Sequence, residues 1–139
     1  MRKPLISLGF CLCMLTGCLP AFAETGTAVT GPALENFRAR PATEYSKLLY
    51  LIDVFANTET EIVYEGHCYK ARAVSPIVRW YISKNYREEK AEDWIKKWCH
   101  RAGQGERIWV RLEDGRLRAA RDFLLEALDK LNGTLTSEV

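Results

Sequence analysis

Apolar side chains recur at three- and four-residue spacing in four stretches of this chain and cluster or alternate in two shorter ones. Tyr45, Leu48, Leu49, Leu51, Ile52 and Phe55 share one face of a helix that Thr43 can cap and Asn57-Thr58 end. Val74, Ile77, Val78, Tyr81 and Ile82 mark a second helix, with Ser75-Pro76 near its start and Asn85-Tyr86 at its end. Proline is tolerated in a first helical turn, so this helix begins at Ser75 or earlier with a distorted turn. Ala91, Trp94, Ile95, Trp98 and Ala102 mark a third, broken by Gly103-Gln104-Gly105. Its acids (Glu89, Glu92, Asp93) come first and its cations (Lys96, Lys97, Arg101) last, as the helix dipole favours. Ala120, Phe123, Leu124, Ala127, Leu128 and Leu131 give the clearest amphipathic helix, with Asn132-Gly133 as its stop.

Two strands complete the pattern. Glu61-Ile62-Val63-Tyr64 is β-branched and aromatic and runs into a Glu65-Gly66 turn. Arg107 to Leu112 alternates polar and apolar ahead of an Asp114-Gly115 turn. Each strand, turn and following helix resembles the other, a faint internal echo. The reading is an α+β domain, residues 43–132, with about four helices packed on a small two-stranded antiparallel sheet. Residues 24–42, rich in Thr, Gly, Ala and Pro, read as a flexible leader, and residues 133–139 as a frayed tail.

Residues 1–23 read as a secretory signal. Arg2 and Lys3 precede an apolar run from Leu5 to Leu19, and Ala21-Phe22-Ala23 is a signal-peptidase pattern. The run is short of the roughly 20 residues a membrane span needs. Leu15-Thr16-Gly17-Cys18 also resembles a bacterial lipobox, which would lipidate Cys18. The complete exit region favours cleavage after Ala23. The expected address is periplasmic; the alternative is an outer-membrane lipoprotein, held at the membrane only through Cys18.

The formal net charge is +2. Twenty basic side chains less Arg2 and Lys3 leave 18 against 18 acids, so the mature domain is neutral. It has no long-range field to draw nucleic acid, and none is expected as a partner. Cys11, Cys13 and Cys18 belong to the signal, which leaves Cys68 and Cys99. A pair in an exported protein reads first as a disulfide, here closing a loop of 30 intervening residues. Such a loop is worth about 3–4 kcal/mol where its geometry is unstrained.

From Tyr45 to Leu131 the chain resembles the YfeK-like family of small uncharacterised periplasmic proteins. The residues that carry the likeness are Ile62-Val63-Tyr64-Glu65-Gly66, Lys84-Asn85-Tyr86, Ala91-Glu92-Asp93-Trp94-Ile95, Gln104 to Ile108 and Asp114-Gly115. The family usually carries Arg-Asn where this chain has Tyr64-Glu65, and His where it has Trp80. Its serine-rich stretch falls on Cys99 to Gln104, which holds no serine. The resemblance implies address and fold, and no activity.

Candidate chemistry is sparse. His67-Cys68 and Cys99-His100 hold both histidines and both mature cysteines, a donor set that suits zinc. Neighbouring helix residues point about 100° apart, however, and zinc ligands are usually three to six residues apart. The same quartet is the only thiol-enzyme candidate, and no third residue that would orient a Cys–His pair is evident. The expectation is therefore a non-enzymatic binding or interaction domain without cofactor, its partner an envelope protein or glycan. Trp94 and Trp98 share a helix face and, with Arg107 and Arg111, form the candidate partner surface. The plainer reading of these residues is core packing and a solvated, ion-paired face.

Overall fold

The computed structural model describes residues 31–101 and 105–139. The signal, Cys18 and residues 24–30 of the expected leader lie outside the described residues. Among the described residues there are five helices and four strands, an α+β fold with a larger sheet than the sequence indicates.

The first helix, α1 (Pro32–Arg38), falls inside the expected leader and corrects it. Gly31 takes φ 95° ahead of it, and Pro32 occupies the first turn, where its missing N–H is harmless. Leu34 and Phe37 from α1 are buried against α2 (Glu44–Ala56), and Phe37 meets Tyr50 edge to face at 5.9 Å. This cover explains why α2 is buried on more than the one face its spacing indicates: Leu48, Tyr50, Leu51 and Ile52 are all inside. The Thr43 hydroxyl accepts the Ser46 amide at 3.1 Å, the expected cap.

The chain then forms two hairpins, each running directly into a helix. In the first, β1 (Glu61–Tyr64) pairs with β2 (His67–Lys70) across Glu65 and Gly66, both at positive φ (48° and 77°), which is the geometry of a tight primed turn. From β2 the chain enters α3 (Ala71–Asn85) without a linker, and α4 (Ala91–Trp98) follows. Pro76 lies inside α3 rather than at its start. In the second, β3 (Trp109–Arg111) pairs with β4 (Leu117–Ala119) and runs into α5 (Ala120–Ser137). β1 and β3 pair antiparallel at the centre, giving the order β2-β1-β3-β4.

The predicted frayed tail is also corrected. α5 continues through Gly133 to Ser137, Leu135 packs on the core, and Arg38 pairs with Glu138. All five helices contribute to the main apolar cluster, in which Ile82, Ile95 and Leu131 are among the fully buried side chains. A second cluster joins Phe55, Ala71, Val110, Ala120 and Phe123 beneath the sheet. Among the described residues no helix is long and apolar enough to cross a membrane.

A candidate apolar binding cavity

A cavity of about 740 Å³ lies between the inner face of the sheet and the helices. Its floor is strand alternation at work. Ile62 pairs with Val110 and with Tyr69 across the ladders, so these three share one face, and Tyr64 is on it two residues on. All four line the cavity. One wall is α3, through Val74, Ile77, Val78, Tyr81 and Ile82, whose helical spacing was legible in the sequence. The other is α4, through Trp94, Ile95, Trp98 and Cys99. Leu48, Leu51, Ile52 and Phe55 from α2 also line it. Tyr69 and Ile77 are exposed, 44 % and 65 % respectively, and mark the side on which the cavity opens.

The aromatic wall is ordered by ring contacts. Tyr81 stands edge-on to Trp98 at 5.5 Å and to Trp94 at 6.4 Å. Lys97 Nζ lies 5.0 Å from the Trp98 ring. Both indole Nε1–H groups are buried and have no hydrogen-bond partner among the described residues. An unpaired buried donor costs about 1–3 kcal/mol, so this wall gives up stability that an ordinary core would keep.

The wall is held by polar contacts outside the cavity. Glu44 on α2 accepts the Ala91 amide at 2.8 Å and thereby caps α4, while Lys47 pairs with it at 2.7 Å. The Lys47 hydrogen bond chiefly, together with that amide, holds the Glu44 carboxyl below its ordinary value. The buried Asp53 of α2 pairs with Arg40 at 3.1 Å and with Arg79 of α3, which ties the opposite wall.

Among the described residues Arg101 is the one charged residue of the lining. It follows α4, and its Nη1 donates to the Gly105 carbonyl at 2.8 Å. His100 beside it is held below its ordinary pKa, first by lost hydration and then by Arg121, Arg101 and Arg107. Asp122 is the acid that opposes them.

The structure scatters the sequence candidates. Cys68 and Cys99 are both free thiols, so the expected staple is not formed in it. The reason is the pleat: Cys68 pairs with Val63 on the outer face, opposite Ile62 and Tyr69, whereas Cys99 lines the cavity. Burial pushes the Cys99 thiol up to about 12, which suits a packed side chain and not a nucleophile. His67 Nδ1 lies 2.9 Å from the Glu65 carbonyl on the exposed hairpin, remote in role from His100 among its arginines. Among the described residues no group of three or more His, Cys, Asp or Glu could hold a metal ion.

The expected partner surface divides as well. Trp94 is only 3 % exposed and, with Trp98, belongs to the cavity wall. Arg107 lies over the Trp109 ring at 5.5 Å, and Arg111 pairs with Glu61 at 3.2 Å on the outer sheet face. Tyr64, Tyr69 and Arg101 were missed as site residues. The alternation of Ile62 and Tyr64 was the available signal, and its partner strand β2 was not recognised.

No family model, curated protein or solved structure matches this chain.

Proposed function

We propose that this chain is an exported, non-enzymatic binding protein of the cell envelope, and that its binding site is the apolar cavity beneath β1 and β2. The observation that carries the reading is a space of about 740 Å³ walled by aliphatic and aromatic side chains with one cation among them. Its size is in the range that small-molecule sites occupy, roughly 300–1,000 Å³. Ordinary interiors are close-packed and hold few voids larger than a water molecule. The aromatic surplus of the sequence also gains a use, since Trp94, Trp98, Tyr64, Tyr69 and Tyr81 all line the space. The apolar leader supports the exported address, either free in the periplasm after cleavage at Ala23 or tethered through Cys18.

The test is titration of the full chain with an apolar dye whose emission rises on leaving water. Saturable binding is expected, with a loss of at least tenfold in affinity for Ile77→Asp. Ile77 is mostly exposed, so this variant keeps its fold. Dye emission that does not saturate, or is indifferent to Ile77→Asp, would remove the cavity as the binding site.

A further inference from the structure

We infer that the cavity takes the tail of a single-chain anionic amphiphile of the fatty-acid type, with Arg101 holding its carboxylate at the rim. The inference rests on the cavity being a binding site and adds the chemistry of the occupant. Three observations converge. The lining is apolar almost throughout, which suits a hydrocarbon tail. Among the described residues its single charge is a guanidinium, with five donors in a fork that matches a carboxylate. Among the described residues the Gly105 carbonyl engages one Arg101 nitrogen, Nη1, which leaves the other donors of the fork for a ligand.

The surroundings reinforce the sign. Arg107 and Arg121 act with Arg101 on His100, against Asp122. Of the charged groups that act on His100, three are cations and one is an acid, so the field beside Arg101 is positive at that point. A cationic amphiphile would be repelled there, and Asp122, which pairs with Arg121 at 3.4 Å, offsets only part of the positive charge. The volume fits one drug-sized ligand, which favours one chain over two.

The experiment is calorimetric titration of the full chain with dodecanoate, dodecanol and dodecyltrimethylammonium, all below their aggregation concentrations. Dodecanoate is expected to bind about tenfold more tightly than the alcohol, as one charge-assisted contact at a partly exposed site provides. The preference should shrink at about 0.5 M salt, where charges are screened within a few ångströms. Decanoate should bind about fifteenfold more weakly than dodecanoate, the loss of two buried methylenes. Arg101→Gln should remove most of the preference for the acid, weakening dodecanoate far more than dodecanol. Arg121→Gln, at a site not hydrogen-bonded to the loop at Gly105, should remove a smaller part.

Equal affinity for acid and alcohol overturns the anionic assignment and leaves the cavity as a site. Tighter binding of the ammonium, or of a two-chain anionic lipid, overturns the occupant in the same way. Failure of all three ligands and of the apolar dye overturns the binding reading itself.

Discussion

The two hairpin–helix units of this domain share a backbone plan and differ in what their helices cover. In the first, β1–β2–α3, the Ala71 amide donates to the Thr60 carbonyl at 3.1 Å, just before β1. In the second, β3–β4–α5, the Ala120 amide donates to the Ile108 carbonyl at 3.0 Å, just before β3. Each hairpin thus closes on the first residue of its helix, and both alanines are buried. The units then part. α5 puts Phe123, Ala127, Leu128 and Leu131 into the core. α3 buries Ala71, Ser75 and Ile82, half-buries Val74, Val78 and Tyr81, and leaves Ile77 and Trp80 exposed. β2, its hairpin's outer strand, is exposed throughout. One unit closes the fold and the other stands over a cavity, so a shared plan has been used once to fill the core and once to border a space.

The comparison is broken most sharply by emptying each unit in turn. Phe123 is buried against Phe55 at 6.2 Å, and Phe123→Ala should cost about 3–5 kcal/mol in urea unfolding. Equal costs for Phe123→Ala and for Ile77→Ala would erase the distinction between the two helices. The turns come next. Gly66 and Gly115 both hold positive φ, with open space where a side chain would go. Ala at either should therefore cost about 1–2 kcal/mol through backbone conformation alone, again read by urea.

A pH scan sharpens the account of the α4 wall. Glu44 has a folded pKa below its unfolded one, so its contribution is present above the ordinary value near about 4.3. It is lost as pH falls through the lowered folded value. The wild-type chain should lose more stability than Glu44→Gln as pH is taken below that ordinary value. Parallel pH profiles would show that the clip between α2 and α4 contributes nothing. The smallest expected effect is Ile77→Ala itself, within about 0.5 kcal/mol, because that side chain is mostly in water already.

Much of this architecture was legible in the residues. α2 and α5 announced themselves because their apolar spacing spans several turns, and Thr43 caps where its position indicates. β2 was hidden because His67-Cys68-Tyr69-Lys70 is exposed on both faces and carries no alternation. β4 is three residues long, too short for a period to register. α1 was masked by Gly31-Pro32, read as linker although proline also opens helices. α5 runs past Asn132-Gly133 because Leu131 and Leu135 are packed on the core, outweighing a glycine penalty of about 1 kcal/mol. The cysteines misled because pairing needs geometry that spacing does not contain, and the sheet keeps them on opposite faces. The cavity was out of reach for a related reason: it is a volume bounded by several elements, and periodicity names only the faces that point towards it.

The central claim, that the space under the first hairpin takes up an apolar chain, is met most directly by tryptophan quenching. In a Trp80→Phe/Trp109→Phe variant the remaining emission comes from Trp94 and Trp98, which line the cavity. A terminally brominated dodecanoate should quench that emission saturably, with unbrominated dodecanoate restoring it in competition. Emission that stays unquenched while the brominated ligand binds elsewhere on the protein would contradict the account.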